Sequence, residues 1–159
     1  MTLAFVFPGQ GSQSIGMLDQ LATEYPLVQE TFSEASEVLG YDMWKLVSSG
    51  PEAALNQTER TQPAMLAAGM AVWRVWQSLT NIQPDYLAGH SLGEYTALVA
   101  SGAISFSSAI KLVELRGQYM QQAVPEGQGA MAAILGLDGE AVKMAVSYTH
   151  LRAHETRGN

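Results

Sequence analysis

The sequence predicts an α/β fold built on a parallel sheet. Three observations carry that expectation. Leu3-Ala4-Phe5-Val6-Phe7 is an unbroken apolar run stopped by Pro8-Gly9, the pattern of a strand buried on both faces. Tyr86-Leu87-Ala88 is a second short apolar stretch that also runs into a glycine-bearing turn. Elsewhere the apolar residues recur at helical spacing, and strands alternating with helices mark this class.

The elements follow in order. After the strand at 3–7 comes the loop Pro8-Gly9-Gln10-Gly11-Ser12-Gln13, then a short helix over 17–24. Pro26 suits the first turn of the next helix; Val28, Phe32, Ala35 and Leu39 mark its apolar face and Gly40 stops it. Short helices fit 43–48 and 51–56. Thr61-Gln62-Pro63 opens a longer helix over 62–79, in which Arg74 is the only charge between Ala64 and Trp76, so most of its faces should be buried. The strand at 86–88 leads to Gly89-His90-Ser91-Leu92-Gly93 and a helix over 93–100. Ser105 caps a helix over 106–123, which Pro125 and Gly127 end. A strand at 130–135 and a helix at 139–146 complete the pattern, with Gly127-Gln128-Gly129 as the expected boundary.

Composition removes several functions. Of the 159 residues 47% are apolar and 14% charged, which excludes disorder as the main state. There is no Cys, hence no disulfide, thiolate metal site or Cys nucleophile. A net charge of −7 argues against a broad nucleic-acid surface. The first residues lack a basic stretch ahead of the apolar run, and the run Pro63–Trp73 falls short of the ~20 residues a membrane span needs. A cytoplasmic protein without a membrane anchor is expected. Residues 147–159 change character, with two arginines against one glutamate, and read as a solvated tail. His150 and His154 stand four apart there, but no third metal ligand accompanies them.

Two loops and one cation carry the chemistry. Gly89-His90-Ser91-Leu92-Gly93 fits G-x-S-x-G between a strand and a helix, where a sharp turn would expose the Ser91 hydroxyl under a helix N-terminus. An ordinary tight turn is the competing reading. The Pro8–Gln13 loop should reach the same sheet edge, and the Gln10 and Leu92 amides are candidates for an oxyanion hole; a plain Gly-Pro turn competes here too. Arg116 falls at the edge of the stripe Phe106, Ala109, Ile110, Val113, Gly117, Met120 and Val124, opposite Lys111, Glu114, Gln118 and Gln122. Leu112, Val113, Tyr119 and Met120 occupy its helical neighbour positions, so no acid pairs with it along the helix. It therefore binds a ligand anion, meets a distant acid such as Asp85, or reaches out to water. Met65, Met70, Trp73 and Trp76 read as core rather than as a cofactor slot.

Phe7-Pro8-Gly9-Gln10-Gly11-Ser12-Gln13, Thr61-Gln62-Pro63-Ala64, Gly89-His90-Ser91-Leu92-Gly93-Glu94-Tyr95, Arg116-Gly117 and Gly129-Ala130-Met131-Ala132-Ala133 occur in that order. Together they resemble the malonyl-CoA:acyl carrier protein transacylases of bacterial fatty acid synthesis, over residues 1 to about 146. The resemblance implies a three-layer acyltransferase core over 1–126 with an α/β-hydrolase-like nucleophile elbow, and the first β-α of a small ferredoxin-like subdomain over 127–146. It implies Ser91 as the acylated nucleophile, oxyanion amides at Gln10 and Leu92, and Arg116 gripping the malonyl carboxylate. Gln62 would lie near the acyl pocket and His90 would line the site. The substrates would be malonyl-CoA and acyl carrier protein, with no cofactor and no metal, in an enzyme monomeric at full length.

The family continues well beyond this length and keeps its general-base His and a further Gln in the part not present here. Activity of this chain alone should be slight. The stretch 147–159 resembles translated sequencing-adapter DNA, so a truncated reading frame with a non-native tail is expected. Two other classes remain: a serine hydrolase of lipase or patatin type, and a non-catalytic interaction module.

Overall fold

A computed structural model describes residues 2–123, 136 and 138–148. The chain forms two compact units, Met1–Val124 and Pro125–Asn159. In the first, β1 (Ala4–Phe7) and β2 (Tyr86–Gly89) pair in parallel, with Phe7 opposite Gly89. Both strands therefore end at the same edge, and the two candidate loops leave the sheet side by side.

The expected double-sided burial of β1 is corrected. Phe5 and Phe7 turn inward, whereas Ala4 is exposed and Val6 is 72% exposed; on β2, Tyr86 is 65% exposed. Alternation along a strand sends neighbours to opposite faces, and among the described residues only one face is covered. The covering element is α5 (Thr58–Leu79), which brings Trp73 and Trp76 against Phe5 at ring separations of 5.2 and 4.7 Å.

Helix α5 is the centre of the unit, buried without interruption from Thr61 to Ala68. It begins four residues before the expected start at 62. Pro63 sits inside it rather than opening it. The missing Pro63 N–H leaves one helical bond unmade, while the Thr61 hydroxyl donates to the carbonyls of Leu55 and Gln57 at 2.5 and 3.0 Å and secures the first turn. Arg74 is tied down by Thr31 at 3.1 Å and by Glu34 at 2.8 Å, which lets a charge sit on the otherwise uncharged stretch after the first turn.

Around α5 stand α1 (Asp19–Glu24), α2 (Leu27–Leu39), α3 (Met43–Ser49) and α4 (Glu52–Leu55), with α6 (Leu92–Ala100) and α7 (Phe106–Ala123). Gly40 ends α2 in the left-handed conformation, φ 76°. Ser105 caps α7 by accepting the Ser108 N–H at 3.2 Å. The stripe of α7 is buried at Phe106, Ala109, Ile110, Val113 and Gly117, as its spacing predicts. Glu114, expected on the solvent face, is only 12% exposed at its side chain and pairs with Lys111 at 2.7 Å. The core includes Met65, Met70 and Trp73.

In the second unit α8 runs Gly139–Tyr148, two residues past the expected end at 146 and into the stretch read as tail. Asp138 caps it by accepting the Ala141 N–H at 2.8 Å. Val124, Pro125, the boundary at 127–129, the strand at 130–135, His150, His154 and residues 149–159 lie outside the described residues.

Candidate active site

The G-x-S-x-G turn forms as its residue types require. Ser91 is the N-cap of α6 with φ 52° and ψ −106°, a conformation that costs a side-chain-bearing residue on the order of 1–3 kcal/mol. Positions 89 and 93, two residues to either side, are glycines because of space. A Cβ on Gly89 would overlap the backbone of Gly93, and one on Gly93 would overlap the Phe7 carbonyl. The helix therefore starts hard against both strand ends, and Ser91 is left exposed above them.

The Pro8–Gln13 loop meets this turn. His90 donates its N–H to the Phe7 carbonyl at 3.1 Å and accepts from the Gly93 N–H at 2.9 Å. Gly9 makes its close approach to His90 rather than leaving room for a ligand: a Cβ there would lie 3.0 Å from the His90 carbonyl oxygen. Gly11 supplies the turn with φ 111°. Ser12 donates to the Gly9 carbonyl at 3.3 Å, and Gln13 donates to Asn56 at 2.9 Å. Gln10 reaches Thr58 at 3.5 Å. Among the described residues the backbone N–H groups of Gln10 and Leu92 have no acceptor.

Arg116 arrives from α7. One guanidinium nitrogen donates to Gln62 Oε1 at 2.7 Å, and the other donates to Ser91 Oγ at 3.1 Å. The charge lies 5.8 Å from the centre of the Tyr95 ring, within reach of its π face. No carboxylate pairs with Arg116 among the described residues. The Asp85 alternative fails, because that carboxylate accepts the Leu3 N–H at 2.8 Å at the opposite end of the strands. Nor does the side chain run free into water, since it is half-buried and both terminal nitrogens are bonded to side chains of the site.

Gly117 explains how Arg116 gets there. A Cβ at that position would stand 2.5 Å from Glu59 Cα and 2.8 Å from the Thr58 carbonyl oxygen, so α7 touches the first turn of α5 backbone to backbone. Gln62, one turn further along α5, is fully buried and faces the next residue over. Its amide is held at both ends: Oε1 by Arg116, and Nε2 by donation to Met120 Sδ at 3.3 Å. Tyr95 and Met120 escaped the site reading of the sequence; the available signal was that Met120 lies four residues after Arg116, on the same helical face.

Of the residues singled out in the sequence, Ser91, Arg116 and Gln62 form one hydrogen-bonded chain. His90 adjoins it without a bond to Ser91 among the described residues, as expected of a neighbour at a sharp turn. Beside the chain Arg116, Met120, Leu112, Leu115, Tyr119 and Ala123 line an open apolar groove of about 410 Å³. Among the described residues no three His, Asp or Glu side chains gather to hold a metal, and no helix is long and apolar enough to cross a membrane.

Comparison with known proteins fits this arrangement. The malonyl CoA-acyl carrier protein transacylase of Haemophilus influenzae is 63% identical over 140 residues, 87% of this chain and 45% of the relative. That of Bacillus subtilis is 49% identical over 141 residues, 89% of this chain and 44% of the relative. The crystal structure of an acyl carrier protein S-malonyltransferase from Vibrio cholerae superposes with a TM-score of 0.85 at 64% identity, covering 93% of this chain and 48% of that one. A malonyl-transacylase solved in complex with its type II PKS acyl-carrier protein gives 0.88 at 59% identity over the same shares. The chain thus spans about half the length of these relatives. The family model described as "Acyl transferase domain" matches residues 4–149, three residues into the stretch read as tail. A strained serine at a strand-to-helix turn and a match running from β1 through α8 lead to one conclusion: the chain belongs to the acyl transferase domain family.

Proposed function

We propose that this chain carries the nucleophile and the carboxylate clamp of a malonyl-CoA:acyl carrier protein transacylase. The observation that carries this reading is the Arg116 guanidinium, which bridges the Ser91 hydroxyl and a buried amide and has no acidic partner among the described residues. A cation so situated is suited to an anion brought by the substrate, beside the atom that attacks.

The steps follow from the groups. Ser91 Oγ attacks the malonyl thioester carbon, and the oxygen that gains charge is held by the Gln10 and Leu92 amides under the N-terminus of α6. The coenzyme A thiol leaves and a malonyl-serine ester remains. The thiol of the acyl carrier protein's phosphopantetheine then attacks that ester and regenerates Ser91. All transferred atoms come from the two substrates, so no cofactor or metal enters. Arg116 takes the malonyl carboxylate through parallel hydrogen bonds that Lys does not reproduce. The general base is not among this chain's histidines in this reading, and the chain alone should turn over little. Residues 1–126 would be part of a three-layer core, 127–146 the start of a ferredoxin-like subdomain and 147–159 a non-native tail; the full-length enzyme would be a cytoplasmic monomer.

A hybrid joining residues 1–146 to the second half of the Vibrio cholerae relative tests the reading. It should transfer malonyl from coenzyme A to acyl carrier protein, with a malonyl adduct on Ser91 visible by intact mass. Release of free malonate regardless of carrier protein would instead indicate a hydrolase, and no adduct would indicate a non-catalytic module.

A further inference from the structure

We infer that Met120 is a positioning residue for acyl selection, acting through Gln62; this rests on the malonyl-transfer reading. Gln62 has one accepting and one donating end, and they are not interchangeable here. Arg116 carries only donors, so it needs Gln62 Oε1, which it meets at 2.7 Å. If the amide were reversed, the Gln62 NH₂ group would face the guanidinium and two donors would confront each other. What fixes the sense of the amide is its other end. Gln62 is fully buried, and its Nε2–H donates to Met120 Sδ at 3.3 Å. A thioether is a weak acceptor that cannot donate, so it accepts Nε2 and offers nothing to Oε1.

Helix geometry makes this a single device. Met120 follows Arg116 by one turn on α7, and Gly117 between them lets that face touch α5 at Glu59, three residues before Gln62. The guanidinium is thus aimed by an amide that is itself aimed by a sulfur on the guanidinium's own helix. Met120 touches no reacting atom; its effect appears in how well Arg116 meets the incoming carboxylate.

The test uses the hybrid enzyme and measures kcat/KM for malonyl-CoA and for acetyl-CoA. Met120→Leu keeps the apolar volume and removes the acceptor. It should lower the malonyl-to-acetyl ratio about 3- to 10-fold, the worth of one ordinary hydrogen bond, chiefly through KM for malonyl-CoA. Met120→Gln, which restores an acceptor oxygen at similar reach, should recover most of the ratio; a merely space-filling role predicts the reverse order. An unchanged ratio in Met120→Leu overturns the inference. A parent hybrid that acylates Ser91 without preferring malonyl overturns the underlying reading as well. Should Met120→Leu fail to fold, the unsubstituted protein decides: the Gln62 side-chain NH₂ signals in a ¹⁵N spectrum should exchange slowly with water, and exchange as fast as an exposed glutamine's overturns the proposal.

Discussion

In the proposed reading Ser91 and Arg116 set the chemistry, and each has a separable test. Ser91→Ala should abolish the malonyl adduct in intact-mass spectra of the hybrid while leaving thermal unfolding in place. Arg116→Ala should reduce malonyl-to-acetyl preference about 10- to 100-fold, since hydrogen bonds to charged groups are worth ~1.5–3 kcal/mol. Away from the site, Tyr41 holds a buried hydroxyl without a partner among the described residues. Burial, assisted by Glu114 and Glu59 and opposed by Arg60, pushes its phenol up to about 12. The fold favours the neutral phenol, whereas an unfolded tyrosine ionises near ~10. This contribution is therefore intact below about pH 10 and is lost as the pH rises through about 12. Tyr41→Phe should flatten that alkaline decline in urea unfolding and, near neutral pH, raise stability by about 1 kcal/mol by removing the orphaned hydroxyl. Ser91 and Arg116 were legible in the sequence, one from its glycine-flanked turn and the other from missing helical partners. Met120 was not, because a methionine on an apolar stripe looks the same whether or not its sulfur accepts a bond.

At the level of elements, the site depends on how near α7 comes to α5. Gly117→Ala would push a methyl into the Glu59 backbone, where neither side has a flexible end to move. We expect a loss of about 1–3 kcal/mol in chemical unfolding and a fall in malonyl turnover beyond what stability explains, because the Arg116–Gln62 bond lengthens with the gap. Periodicity located most helices because Gly40, Ser105 and the stripe of α7 are local signals. The start of α5 was misread because Pro63 favours a first turn, while the Thr61 hydroxyl bonding back to Leu55 and Gln57 depends on the chain's tertiary path. Glu114 was placed outside for a related reason. The helical wheel shows Lys111, three residues away on the same helix, but is blind to Tyr41, a residue from outside α7 on which the Glu114 charge acts.

For the molecule as a whole, the side of the two-stranded sheet left uncovered among the described residues should govern behaviour in solution. Val6 and Tyr86 stand out on it, and both strands have an outer edge with no neighbour among the described residues. Such a surface promotes association. In sedimentation velocity the 159-residue chain should run as concentration-dependent oligomers, and Val6→Lys with Tyr86→Lys should shift it toward monomer; a parent chain sedimenting as a single monomeric species would contradict this. The sequence predicts β1 doubly buried because an unbroken apolar run does not say which face a neighbour covers; among the described residues only the face of Phe5 and Phe7 is covered. That same surface offers a practical gauge. A dye such as ANS, dim in water and bright on oily ground, should light up on this chain alone and fade as the second half of a relative is titrated in, so the joining of the two halves can be followed by eye in a cuvette without any assay of turnover.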